Sequence, residues 1–186
     1  GFINTHCHLE LSHLKGKAPT GTGLLPFLNH VVQFREVETD IIQATIREAD
    51  AYMWSQGIQA VGDICNKTDT FAVKEQSRIV YYSFVEMFDF MQESLTDNLI
   101  SGNLDVFHTA PAPRSAVPHA PYSVSPALFR KVNSLNQHFG TVSIHNQETT
   151  AEEDFFVKGD GGFFSFYKGF GFNLDHFKAT GKSSIH

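Results

Sequence analysis

The chain has 186 residues, a net charge of −6 and an apolar share typical of globular proteins, enough for one domain with a core of its own. No basic face or Lys/Arg run is present, which argues against binding to a nucleic-acid backbone, and no apolar run reaches the length of a membrane span. The two cysteines, Cys7 and Cys65, make no disulfide framework and fit a reducing, cytosolic compartment.

Phe2 and Ile3 open the chain as a short apolar strand that runs into His6-Cys7-His8-Leu9-Glu10. In an extended strand, residues i and i+2 share a face. His6 and His8 therefore present two imidazoles side by side, a donor pair that suits zinc and its neighbours. The same spacing also arises in ordinary cores, so the pair alone does not make a site. Leu14 to Gly23 reads as a loop, with Pro19, Gly21 and Gly23. Leu24 to Phe34 carries apolar residues at helical spacing. A longer helix is predicted over Asp40 to Gln56, capped by Thr39 or Asp40 and ended by Gly57.

Ile58 to Ile64 reads as a buried strand leading into the polar turn Cys65-Asn66-Lys67. The alternation then repeats. Helices are predicted at Phe71 to Gln76, Met91 to Leu104, Ser125 to Phe139 (with a Ser-Pro start) and Thr150 to Val157. Strands are predicted at Arg78 to Glu86, Ser115 to His119 and Thr141 to His145. About five strand–helix units in succession argue for an α/β fold with a parallel sheet and crossovers. From Gly159 to Phe172 glycines alternate with aromatics. That stretch reads as a loop packed by its own Phe side chains, or as a mobile lid over a pocket. Its glycines match no phosphate-binding pattern. Most of the 18 Phe are assigned to the core.

Three strands end in residues capable of chemistry: His6 with His8, His119, and His145. Both a (β/α)8 barrel and a doubly wound open sheet build sites at strand C-termini, so this pattern does not choose between them. A full barrel needs roughly 250 residues; a barrel here would be an incomplete one. His145 can complete a three-imidazole face with His6 and His8. Glu148 can take a proton from an activated water and pass it to a leaving group, or serve only as a carboxylate at a helix N-terminus. His119, before the Pro121 turn, can hydrogen-bond a substrate or pin its own loop. Glu10 can bind an amine or hydroxyl in the same cavity, or be solvated. Asp63 and Glu86 are read as structural, and His13, His30, His108, His138 and His176 as surface or core. There is no Gly-x-Ser-x-Gly elbow and no His-Glu-x-x-His helix. His8-Leu9-Glu10 matches half of the small zinc deaminase signature, but the Pro-Cys-x-x-Cys half is absent.

Taken together, Phe2-Ile3-Asn4-Thr5-His6-Cys7-His8-Leu9-Glu10-Leu11-Ser12, His119-Ala120-Pro121-Tyr122-Ser123 and Ser143-Ile144-His145-Asn146-Gln147-Glu148 resemble the amidohydrolase superfamily. The branch is that of the cytosine-deaminase/chlorohydrolase-like deaminases, near the aminofutalosine deaminases. The resemblance implies a distorted (β/α)8 barrel with one divalent metal, usually zinc and sometimes iron. It implies His6, His8 and His145 as metal ligands, Glu148 as proton shuttle and His119 as a substrate contact. The implied reaction is hydrolytic removal of an amino group from a ring carbon by metal-activated water, on a nucleoside- or nucleobase-like small molecule. The family also uses a sixth-strand His and an eighth-strand Asp, and neither lies before His186. The expectation is therefore that residues 1–186 form an incomplete TIM-like barrel domain, the first five βα units, with the remaining parts of the protein outside it and little activity of its own.

Two other readings are kept: a non-catalytic α/β domain that binds a small molecule, and dehalogenation on the same scaffold. An open half-barrel exposes strand edges and apolar faces, so a homo-oligomer or swapped assembly is expected.

Overall fold

A computed structural model describes residues 1–136 and 140–186. Its centre is a parallel sheet of β1 (Phe2–Cys7), β2 (Ile58–Cys65), β3 (Val80–Met87) and β4 (Arg114–Pro118). The strands lie side by side in the order β1-β2-β3-β4. A doubly wound sheet reverses its strand order at a switch point, whereas a (β/α)8 barrel adds each strand beside the last. The sequential order therefore identifies a partial α/β barrel. β1 and β2 approach closely at Gly62, where a Cβ would lie 2.6 Å from the Thr5 carbonyl oxygen and 2.8 Å from the Phe84 ring.

The predicted fifth strand is not one. Thr141 to His145 runs extended beside β4, joined to it by His145 N–H donating to His119 O at 2.9 Å and by Ser115 Oγ donating to Thr141 O. One backbone bond at the rim does not make a ladder, and Val142 and Ile144 remain exposed. The described residues thus hold four strands where five were expected.

The helices follow from capping and periodicity. α1 (Leu24–Phe34) and α2 (Thr39–Ser55) match their predicted spans closely. On α2, Ile42 and Ile46 fall four apart on one face and pack with Val61, Ile79 and Tyr81. α3 is Phe71–Gln76. The helix predicted over Met91 to Leu104 is instead a 3₁₀ turn at Glu93–Leu95, a short α4 (Thr96–Leu99) and α5 (Ser101–Thr109). Ser101 and Gly102 are poor continuers of a helix, and the break falls beside them. α6 (Pro126–Leu135) starts where Ser125 Oγ accepts the Leu128 N–H and Pro126 takes the first helical position. Its predicted end, residues 137–139 with His138, lies outside the described residues.

α7 (Thr150–Lys158) ends at Gly159, whose φ of 69° is left-handed. The next stretch was expected as a loop and is α8 (Gly162–Gly169). Phe163 and Tyr167, four apart, form one buried face against Tyr122, Phe155 and Leu174. The Phe155 and Phe177 rings stack at 4.1 Å beside them. Aromatic burial of this size outweighs the poor helix propensity of the two terminal glycines.

Between β2 and α3, Lys74 Nζ meets Asp63 Oδ2 at 2.7 Å, and both side chains are buried. Lys74 also donates to Ser83 Oγ at 3.0 Å, while Asp63 Oδ1 accepts the Leu9 N–H at 2.8 Å. Burial is the largest single influence and works against the lysine charge, but Asp63 and Cys65 together outweigh it and hold the ammonium above its ordinary pKa. This pair ties α3 to the sheet and anchors the segment after His8. Removing one partner of a buried pair leaves the other charge uncompensated. Lys74→Ala is expected to cost about 3–5 kcal/mol of stability, read as a lowered midpoint in urea unfolding.

Candidate metal centre

All four strands point their C-termini at one rim, and the histidines gather there. His6 lies at the end of β1, and His8 follows that strand before the 3₁₀ turn Leu9–Leu14. His119 follows β4, and its carbonyl fixes His145 through the 2.9 Å bond described above. The ring centroids of His6, His8 and His145 lie 4.8 to 5.3 Å apart, and His119 lies 5.3 Å from His145. His6, His8 and His145 each offer a ring nitrogen within 4.8 Å of the others. Residues far apart in the chain, 6, 8 and 145, are thus brought together.

This donor set fits a divalent ion. His6 Nε2 and His8 Nε2 are 3.2 Å apart. Two nitrogens of a tetrahedral zinc site, at bonds of about 2.0–2.1 Å, stand about 3.3–3.4 Å apart. Ligation needs the neutral imidazole. Burial, helped by the neighbouring histidines, pulls the His8 pKa down to about 3. Burial also lowers His145, although Glu86 acts the other way.

A partly buried polar chain lies behind the cluster. His145 Nε2 stands 3.6 Å from Glu86 Oε1, whose other oxygen accepts from Asn66 Nδ2 at 2.9 Å. Asn66 Oδ1 accepts from Arg35 Nη2 at 2.8 Å, and the same Nη2 reaches Glu10 Oε1 at 3.1 Å. Glu10 Oε2 accepts the N–H groups of Asn66 and Lys67. Glu10 is therefore buried in a pair rather than solvated. Burial raises Glu10 to about 7 against the pull of Arg35, and raises Glu86 to about 7 against the pull of His145. Arg35 and Asn66 carry no chemical motif in the sequence, and Glu86 reads there as structural. Asn66, at the strand-to-turn junction after β2, carried the clearest missed signal.

His119 is partly buried, and desolvation lowers its pKa to about 4. Ser123 Oγ stands 2.6 Å from His119 Nδ1 and 3.1 Å from Ala120 O; in the tautomer in which Ser123 donates to Ala120 O, His119 carries its proton on Nδ1. Nε2 is left with a lone pair for an incoming donor. Glu148 Oε1 lies 3.7 Å from His145 Nδ1, and Oε2 accepts from Tyr122 Oη at 2.6 Å. A cleft of about 340 Å³ opens beside Glu148, walled by Pro19, Thr22, Leu24 and Phe27. A larger groove of about 500 Å³ between α1 and α8 is lined by no histidine or carboxylate.

No protein-family model matches the chain. It is 28% identical over 178 residues to the aminodeoxyfutalosine deaminase of a Nitratiruptor species, covering 91% of this chain and 44% of the relative. The fold is shared with Helicobacter pylori aminofutalosine deaminase solved in complex with methylthio-coformycin, at a TM-score of 0.76 and 23% identity over 98% of this chain and 44% of that one. It is shared as well with atrazine chlorohydrolase from Arthrobacter aurescens TC1 complexed with zinc, at a TM-score of 0.60 and 14% identity over 91% and 45% of the two chains. The resemblance read from the histidine motifs is borne out. The chain spans less than half the length of these relatives.

In the metal-free protein, NMR titration should find His8 and His119 neutral at pH 5.5, where an ordinary histidine of pKa 6.5 is mostly protonated. A histidine with a depressed folded pKa binds its proton first in the unfolded chain. Stability from these two is present above pH 6.5 and is lost as pH falls towards 4 and then 3. Glu10 and Glu86 act oppositely, losing stability as pH rises from about 4.5 through 7.

Proposed function

We propose that this chain carries the metal-holding part of a hydrolase that deaminates an amino-substituted ring, nucleoside- or nucleobase-like, using water. The observation that carries this reading is the convergence of His6, His8 and His145, with Glu148 beside them. The sequence relative named a deaminase favours deamination over dehalogenation, because the chlorohydrolase likeness is one of fold alone.

His6, His8 and His145 are the residues that would hold one divalent ion, zinc or less commonly iron. Such an ion lowers the pKa of water towards about 7 and so supplies a nucleophile at neutral pH. Glu148 accepts the water proton through Oε1 and delivers it to the departing amine, so that water and ring–NH2 become ring–OH and ammonia. His119 Nε2 orients the ring by accepting from a substrate N–H or O–H. Glu10 serves a substrate amine or hydroxyl by exchanging its Arg35 contact. Burial of Glu86 keeps stray charge away from the His145 imidazole.

Residues 1–186 are read as one incomplete barrel domain of this hydrolase, in a reducing cytoplasmic setting where Cys7 and Cys65 stay thiols. The β1 edge, with Phe2 72% and Ile3 70% exposed, suits self-association. Light scattering of the 186-residue chain should give twice its own mass, and a monomer at all concentrations would remove the homo-oligomer from this reading.

Elemental analysis should find close to one zinc or iron per chain, lost in His145→Ala. The whole protein should release ammonia from an amino-substituted ring, and Glu148→Gln should lower that rate by about 10²–10⁴. The 186-residue chain with added zinc should show little turnover. Absence of bound metal would leave the non-catalytic binding domain as the better account.

A further inference from the structure

The turn that carries Glu148 is held by groups with no part in the reaction as drawn above. Glu152, on the first turn of α7, is 1% exposed. Among the described residues its carboxylate forms no ion pair. Oε1 accepts the Gln147 N–H at 3.1 Å, and Oε2 accepts the Glu148 N–H at 2.8 Å. An N3 glutamate ordinarily reaches back to the N-cap residue. This one reaches one and two residues further, and Thr149, the N-cap, is bypassed. Gln147 has φ of 56°, a left-handed conformation uncommon for a residue that is not glycine, asparagine or aspartate. Something must hold it there, and the paired contact to Glu152 is the only side-chain bond to its N–H among the described residues.

The carboxyl end of Glu148 is clamped from the other side. Tyr122 Oη donates to Oε2 at 2.6 Å. Tyr122 is itself fixed, because Tyr167 Oη on α8 donates to the Tyr122 carbonyl at 2.7 Å and Phe163 lies 4.4 Å from the Tyr122 ring. The aromatic α7–α8 layer thus reaches Glu148 along two routes, through its backbone and through one of its oxygens.

We propose that Glu152 and Tyr122 are the positioning residues of Glu148, fixing the 145–149 turn so that Oε1 alone faces His145 and the substrate. This rests on the reading of Glu148 as proton shuttle. It adds that one carboxylate oxygen works while the other is spent on Tyr122. It also assigns the buried charge at Glu152 to turn geometry: a neutral side chain accepts at most one of the two N–H groups at full strength.

The test uses the 186-residue chain and two readouts that do not need turnover. Amide hydrogen exchange at Gln147 and Glu148 reports the turn, and zinc competition against a chromophoric chelator reports His145. Glu152→Ala should lower protection of both amides by at least about tenfold and weaken zinc binding by about 10–100-fold, the range for groups that orient metal ligands. Glu152→Gln should lie between, and Gln147→Gly added to Glu152→Ala should recover zinc affinity, since glycine adopts positive φ freely. Tyr122→Phe should leave both amides protected and free the Glu148 carboxyl, seen as a change in its side-chain carbon resonance. Unchanged amide protection and zinc affinity in Glu152→Ala would overturn the proposal. If Glu152→Ala does not fold, the same readouts on Glu152→Gln decide. Failure of the unsubstituted chain to bind zinc would refute the metal reading, and the exchange data would still judge the turn.

Discussion

Parallel pairing of four consecutive strands sends all four C-termini to one rim, and the rest of the site depends on that constraint. A strand has no means of its own to gather distant side chains. The shared direction of β1, β3 and β4 does so, because His6, Glu86 and His119 all lie at or just past the C-terminal ends of these strands. His145 joins them without belonging to a ladder, through a single backbone bond to His119. Gly62 allows β1 to lie close enough for this, since any Cβ there would meet the Thr5 carbonyl.

Desolvation then sets the chemistry. The imidazoles sit beside a hydrogen-bonded chain of buried Glu86 and Glu10 joined through partly buried Asn66 and Arg35. In a low-dielectric setting an isolated charge is costly, so His8, His119 and His145 are pushed towards neutrality and Glu10 and Glu86 towards protonation. Neutral imidazoles are the form that ligates metal. The same burial that holds the rim together therefore prepares its donors. The second buried charge system, Lys74 with Asp63, lies between the sheet and α3 and reaches the rim only through the Leu9 N–H after His8.

The aromatic layer of α7 and α8 has a role beyond filling space. Phe155, Phe163 and Tyr167 form a core that touches Tyr122, and Tyr122 touches Glu148. Packing is stiff because protein interiors are close-packed, so a ring held by its neighbours holds a carboxylate in turn. A loop at this place would leave Tyr122 without the Tyr167 hydroxyl and Glu148 without a fixed partner.

Much of the fold was legible in the sequence because it is written in local periodicity and caps. α1, α2, α3 and α6 followed from helical spacing, Gly57 and the Ser125-Pro126 start, and the strand–helix alternation gave the α/β class. The histidine pairs and Glu148 stood out because their residue types and spacing are chemical signals that need no contact map. The fifth strand and α8 were misread for opposite reasons. Thr141 to His145 has strand-like residues but finds one ladder bond, and the glycine-flanked α8 looks like a loop until its aromatic face meets Tyr122 and Phe155. The barrel was implied by the family resemblance and not by the strand–helix alternation, whereas strand order and the parts played by Arg35, Tyr122 and Glu152 were decided by tertiary structure alone. Each depends on which distant groups share a buried space, and the linear chain does not encode that in any local pattern.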